Sequence, residues 1–119
     1  VGLYVSVLNQ CDYCIDHHTH AGGLVYPGEA EAWATITDAL LNDRTADVFK
    51  GKELALLTYT RNLTLDPASL TATSIDVLRV ASASDSEILE VNQVASYFAY
   101  ANRVVLGLGV ALDGEVRAN

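Results

Sequence analysis

Apolar residues recur along this chain at helical rather than strand spacing. In Ala30–Leu41 they fall at Trp33, Ile36, Thr37, Leu40 and Leu41, the i, i+3, i+4, i+7, i+8 pattern of a single buried helix face. Glu29 and Glu31 stand at its start, where the helix dipole favours negative charge. Residues 52–65 place Leu56, Tyr59, Thr60 and Leu63 on one side and Leu54 and Leu57 on an adjoining one, and Asp66-Pro67 stops the run. Thr73-x-x-Asp76 predicts a short helix through Ile75, Leu78 and Arg79. Ser84-x-x-Glu87 is a capping box for a long helix with the stripe Ile88, Val91, Ala95, Phe98, Asn102, Val105, ending at Gly107 and Gly109. Turn signals at Gly22-Gly23, Pro27-Gly28, Gly51, Asp66-Pro67, 82–86 and 107–109 separate these segments. No segment reads as a strand hairpin, so the expected class is all-α, with residues 1–119 forming one helical domain.

Composition adds a bias toward association. Of 119 residues, 50% are hydrophobic and 18% charged, which is too apolar for disorder and rich in apolar surface for so small a monomer. A helical oligomer is therefore expected. Fifteen acidic against seven basic residues leave a net charge of −8, a sign that repels phosphate backbones and anionic lipid heads, so nucleic-acid and membrane partners are not expected. The apolar stretch 104–112 is far short of the roughly 20 residues that cross a bilayer, and residues 1–8 lack the basic start and cleavage pattern of a secretory signal. A cytoplasmic protein is expected. The chain contains no Met and opens inside an already periodic apolar segment, so an N-terminal segment is expected upstream of Val1.

The sharpest chemical feature is Cys11-x-x-Cys14 with His18 following. Two cysteines are too few for the framework of a small secreted domain, and this spacing points to redox or metal chemistry. On a helix, at about 100° per residue, Cys14 lies about 60° and His18 about 20° from Cys11, so the three share a face. His17 and His20 point elsewhere and read as surface residues. Thiols three apart lie within disulfide reach, and His18, four residues beyond Cys14, can exchange a proton with its thiol. No Lys or Arg occurs before Arg44 to stabilise a thiolate, so the break at Asn9-Gln10 followed by a helix N-terminus must supply positive potential. Asp12 and Asp16 fall on the opposite face.

Zinc is the rival chemistry. Cys11 and His18 stand about 10 Å apart along a helix axis, too far for one ion, so a zinc site would need ligands from other segments. A metal site and an inert buried pair both remain open beside the favoured dithiol; no cofactor is implied. Tyr13, Trp33 and Phe98 read as packing residues, and Asn102-Arg103, a polar pair within an apolar stripe, calls for partners inside the fold or at a subunit contact.

The run Val5-Ser6-Val7-Leu8-Asn9-Gln10-Cys11-Asp12-Tyr13-Cys14 with His18 resembles the signature of the alkylhydroperoxidase AhpD family, within the carboxymuconolactone decarboxylase-like superfamily. The tail Tyr97-Phe98-Ala99-Tyr100-Ala101-Asn102-Arg103, followed by Leu106-Gly107-Leu108-Gly109-Val110, is similar to the end of its peroxidase-related subgroup. The resemblance implies an all-helical domain assembling into homotrimers or homohexamers. It further implies that Cys14 attacks a hydroperoxide, that Cys11 resolves the sulfenic acid to a disulfide, and that His18 relays the proton. A glutamate driving that relay is expected just ahead of Val1. Tyr13 stands where AhpD has a histidine, which weakens transfer of AhpD's own partners. The electron donor is expected to be an external dithiol, lipoylated or thioredoxin-like. Two alternatives complete the expectations: a non-enzymatic helical oligomer with structural or metal-binding cysteines, and a lyase of the decarboxylase type.

Overall fold

The computed structural model describes residues 1–112. The domain expected over 1–119 thus runs on into residues 113–119, which lie outside the described part. Among the described residues six α-helices follow one another: α1 (Gly2–Leu8), α2 (Asp12–Val25), α3 (Ala30–Leu41), α4 (Gly51–Leu65), α5 (Ala72–Val80) and α6 (Asp85–Leu108), with short 3-10 turns at Thr45–Asp47 and Pro67–Ser69. No β-strand occurs among the described residues, and the fold class is all-α. The extents of 45 × 36 × 22 Å make a slab about two helix diameters thick.

Helix α1 explains the arrangement. Its consecutive residues Leu3, Tyr4, Val5 and Ser6 are all buried, which a short helix achieves only with neighbours on every side. It packs against α2, α3, α4 and α6. Leu3 and Tyr4 join Leu40 of α3 and Leu57 of α4 in one core cluster. A second cluster, Tyr59, Leu78, Ala83 and Ile88, ties α4 and α5 to the start of α6. The hydroxyl of buried Tyr4 donates to the carboxylate of Asp43, which Arg61 of α4 grips at 3.0 Å, so one network fastens α1 to the loop after α3 and to α4.

Helix α6 follows its sequence pattern: Ile88, Ala95 and Asn102 are buried. Ser84 Oγ accepts from the Glu87 N–H at 3.1 Å, Glu87 Oε2 accepts from the Ser84 N–H at 2.8 Å, and Gly109 closes the helix at φ 70°. Gly107 lies inside the helix rather than at its end.

Three expectations need correction. Gly22-Gly23 is no turn; both glycines lie within α2, because the indole of Trp33 packs against their bare backbone. A Cβ on Gly22 would stand 2.4 Å from Trp33 Cζ2. Helix α5 is capped by Thr71, two residues ahead of Thr73, where the Thr71 N–H donates to Ser74 Oγ at 3.1 Å. Leu41, placed on the buried face of α3, is 42% exposed, since α3 ends there and its neighbours cover only Thr37, Ala39 and Leu40 fully.

Candidate active site

The site begins at the turn joining α1 to α2. Gln10 takes the left-handed conformation at φ 57°, and the Gln10 and Cys11 N–H groups return to the carbonyls of Val7 and Ser6, each at 3.0 Å. This break, where Asn9-Gln10 predicts one, makes Cys11 the N-cap of α2 with non-helical backbone (φ −94°, ψ 89°). Cys11 is thus one step outside the helix, and only Cys14 and His18 keep the helical register expected of all three. The cysteines are joined as a disulfide across a Cα–Cα separation of 5.2 Å.

Asn102 of α6 anchors that turn from the far end of the sequence. It is fully buried, donates to Ser6 Oγ at 3.0 Å and accepts from Asn9 Nδ2 at 3.1 Å; Ser6 Oγ in turn donates to the Gly2 carbonyl at 2.9 Å. The polar interruption of the α6 stripe therefore holds the residues leading into Cys11. Its neighbour Arg103 is exposed and donates to the Ala99 carbonyl at 3.0 Å.

Access to the two sulfurs differs. Cys11 is wholly enclosed, and Cys14 retains 7% of its surface. The N-terminus of α2 presents unpaired backbone N–H groups and the positive end of its dipole to both residues. The ion pairs among the described residues involve α3–α6 and their loops, none of them at the cysteines.

His18, one turn after Cys14, is half-buried, with its ring edge-on to Phe98 of α6 at 4.5 Å between centroids. Burial, and secondarily the neighbouring His17, hold its pKa below the ordinary imidazole value of 6.5. The ring is thus neutral at pH 7 and able to take a proton. The N-terminal end of α1 abuts it: a Cβ on Gly2 would come within 3.1 Å of His18 Cε1. His17 and His20 are exposed, and Tyr13 stacks on His17 with centroids 6.4 Å apart. Groups of three or more His, Cys, Asp or Glu side chains placed to hold a metal ion are not found among the described residues. No helix among them is long and apolar enough to cross a membrane.

Phe98 was legible only as a member of the α6 stripe, and its contact with His18 has no sequence signal. The same holds for Glu53 of α4, which shares a cavity with His18 although 35 residues separate them.

No protein-family model and no curated protein matches the chain. Among solved structures it is similar to the crystal structure of an uncharacterized peroxidase-related protein from Silicibacter sp. TM1040, with a TM-score of 0.79 at 20% identity over 98% of this chain. The match takes in 56% of that protein's chain, so the present chain spans little more than half its length. At this identity the likeness establishes a shared fold.

Proposed function

We propose that the protein is a peroxidase-like disulfide oxidoreductase that reduces hydroperoxides through the Cys11/Cys14 couple. The observation that carries this reading is a cysteine pair within disulfide reach at a helix N-terminus, one turn from a half-buried histidine. The peroxidase-related fold supports it.

In the reduced protein Cys14, the more accessible sulfur, is the attacking thiolate, and His18 takes its proton. The sulfur bonds to one peroxide oxygen as the O–O bond breaks; the alcohol leaves with a proton and Cys14 becomes a sulfenic acid. The Cys11 thiol then displaces water from that sulfenic acid, giving the disulfide. An external dithiol, lipoylated or thioredoxin-like, reduces it again by exchange.

Self-association into a trimer or hexamer belongs to the same reading. Tyr97, Tyr100, Val104 and Leu108 recur along the exposed side of α6 and supply an apolar face for it.

The test is peroxide consumption by the reduced protein with an external dithiol. Turnover is expected in the wild type, abolished in Cys14→Ser and slowed in His18→Ala. Unchanged turnover in Cys14→Ser would refute the assignment.

A further inference from the structure

Helix geometry alone leaves His18 more freedom than a proton relay allows. Side chains on α2 lean toward the helix N-terminus, so His18 can cover Cys14 one turn before it. The ring is only half-buried, however, and its χ angles also let it swing out to water. Its restraint comes from two other helices. Phe98 of α6 meets the imidazole edge-on, with centroids 4.5 Å apart and planes at 84°, an arrangement aromatic pairs favour. Gly2 of α1 closes on both rings at once: a Cβ there would stand 2.9 Å from Phe98 Cδ2 and Cε2 and 3.1 Å from His18 Cε1. Three helices thus meet at one contact that leaves no room for a side chain on α1. The other groups facing the ring are looser. His17 lies at 6.1 Å and is itself exposed. The Val1 ammonium from α1 and Glu53 from α4 share with His18 the wall of the cavity that opens among α1, α2, α3, α4 and α6, where α3 contributes Trp33, Ile36 and Leu40.

Helix α6 makes this contact one turn from its hold on the cysteine turn. Phe98 and Asn102 are four residues apart, on one face of α6 and about 6 Å along its axis. Asn102 grips Ser6 and Asn9 ahead of Cys11, while Phe98 rests on His18. One stretch of α6 therefore keeps the cysteine turn and the imidazole in register. We propose that Phe98 is a positioning residue, whose ring, backed by Gly2, holds the His18 imidazole over Cys14 so that a proton passes between them. The step is a transfer of one proton from Cys14 Sγ to a ring nitrogen of His18; no electrons are exchanged, and Phe98 acts only through His18. The inference rests on the peroxidase reading for what the resulting thiolate attacks, and on the three-helix contact for the placement of the ring.

The test reads Cys14 without peroxide. In the Cys11→Ser protein Cys14 is the sole thiol, and the rate of its alkylation by iodoacetamide between pH 5 and 9 follows its thiolate. In that background His18→Ala is expected to slow alkylation at pH 7 by about 10-fold, the size of a one-unit rise in thiol pKa. Phe98→Leu, which keeps an apolar side chain without the flat ring, is expected to slow it by about 3-fold or more in the same direction. Phe98→Tyr, which restores the ring, is expected to return the wild-type profile. Gly2→Ala leaves Phe98 intact but wedges a methyl group against both rings, and is expected to act like Phe98→Leu; it decides the matter if Phe98→Leu does not fold. Added to His18→Ala, Phe98→Leu is expected to change nothing further, which a general packing role would not produce. An unshifted profile in both Phe98→Leu and Gly2→Ala, or a further loss in the double variant, overturns the positioning role and leaves the peroxidase reading intact. The expected profiles, found together with no peroxide consumption by the reduced wild type, uphold the positioning role and overturn the peroxidase reading.

Discussion

Replacing Asn102 with alanine tests whether the buried amide holds the turn before Cys11. The change removes two hydrogen bonds, one to Ser6 Oγ at 3.0 Å and one from Asn9 Nδ2 at 3.1 Å, in a place with no exposed surface. Each neutral hydrogen bond is worth about 1 kcal/mol net, and the vacated volume adds a packing loss, giving about 2–4 kcal/mol in all. For a domain whose total stability is of order 5–15 kcal/mol, that lowers the melting temperature by roughly 8–16 °C. Asn9→Ala removes only one of the two bonds, at a half-buried residue that water can reach, so about 1 kcal/mol is expected. Urea denaturation of the oxidised proteins, followed by circular dichroism, measures both. A loss under about 0.5 kcal/mol for Asn102→Ala, or equal losses for the two variants, would refute the argument that Asn102 joins Ser6 to Asn9.

Three further outcomes follow from contacts elsewhere. Gly22→Ala is expected to cost about 1–2 kcal/mol and to shift Trp33 emission: overpacking against the indole at 2.4 Å outweighs the helix propensity gained, and an unshifted spectrum with raised stability would contradict this. The Tyr4 hydroxyl, and after it Arg61, hold Asp43 below its ordinary pKa, so its contribution is present above about pH 4 and fades as pH falls. Wild type should therefore exceed Asp43→Asn in urea stability at pH 7, with the gap narrowing as pH falls below about 4; a gap that widens in acid would reverse the sign. The folded pKa of His18 is lowered, so the unfolded chain takes up its proton first and stability drops as pH falls below about 6.5. That component should vanish in His18→Ala when stability is titrated between pH 7.5 and 5.5.

The elements most legible in the sequence are those with one buried face. Helices α3 and α6 each bury one periodic stripe and α4 two adjoining ones, and their bounds fall within a residue or two of the expected ones. The sequence pattern misleads where the neighbour decides. Gly22-Gly23 carries the composition of a turn, yet it is helical because an indole 10 residues further on needs backbone without side chains. The dithiol was visible because its chemistry is local, two thiols and an imidazole within eight residues. Asn102 announced itself as a polar residue in an apolar stripe, but its partners Ser6 and Asn9 lie 96 and 93 residues away and follow only from the packing of α1 on α6. The cavity and Glu53's place on it emerge from five helices together, and no periodicity encodes them.

The most direct measurement of the central claim is a single-turnover reaction of the fully reduced protein with a limiting hydroperoxide, followed by stopped-flow fluorescence and thiol counting. The account predicts that each equivalent of peroxide removes both thiols of one chain, forms the Cys11–Cys14 disulfide and releases one alcohol, with no such reaction in Cys14→Ser. Peroxide left unconsumed by a protein whose two thiols are demonstrably reduced would contradict it.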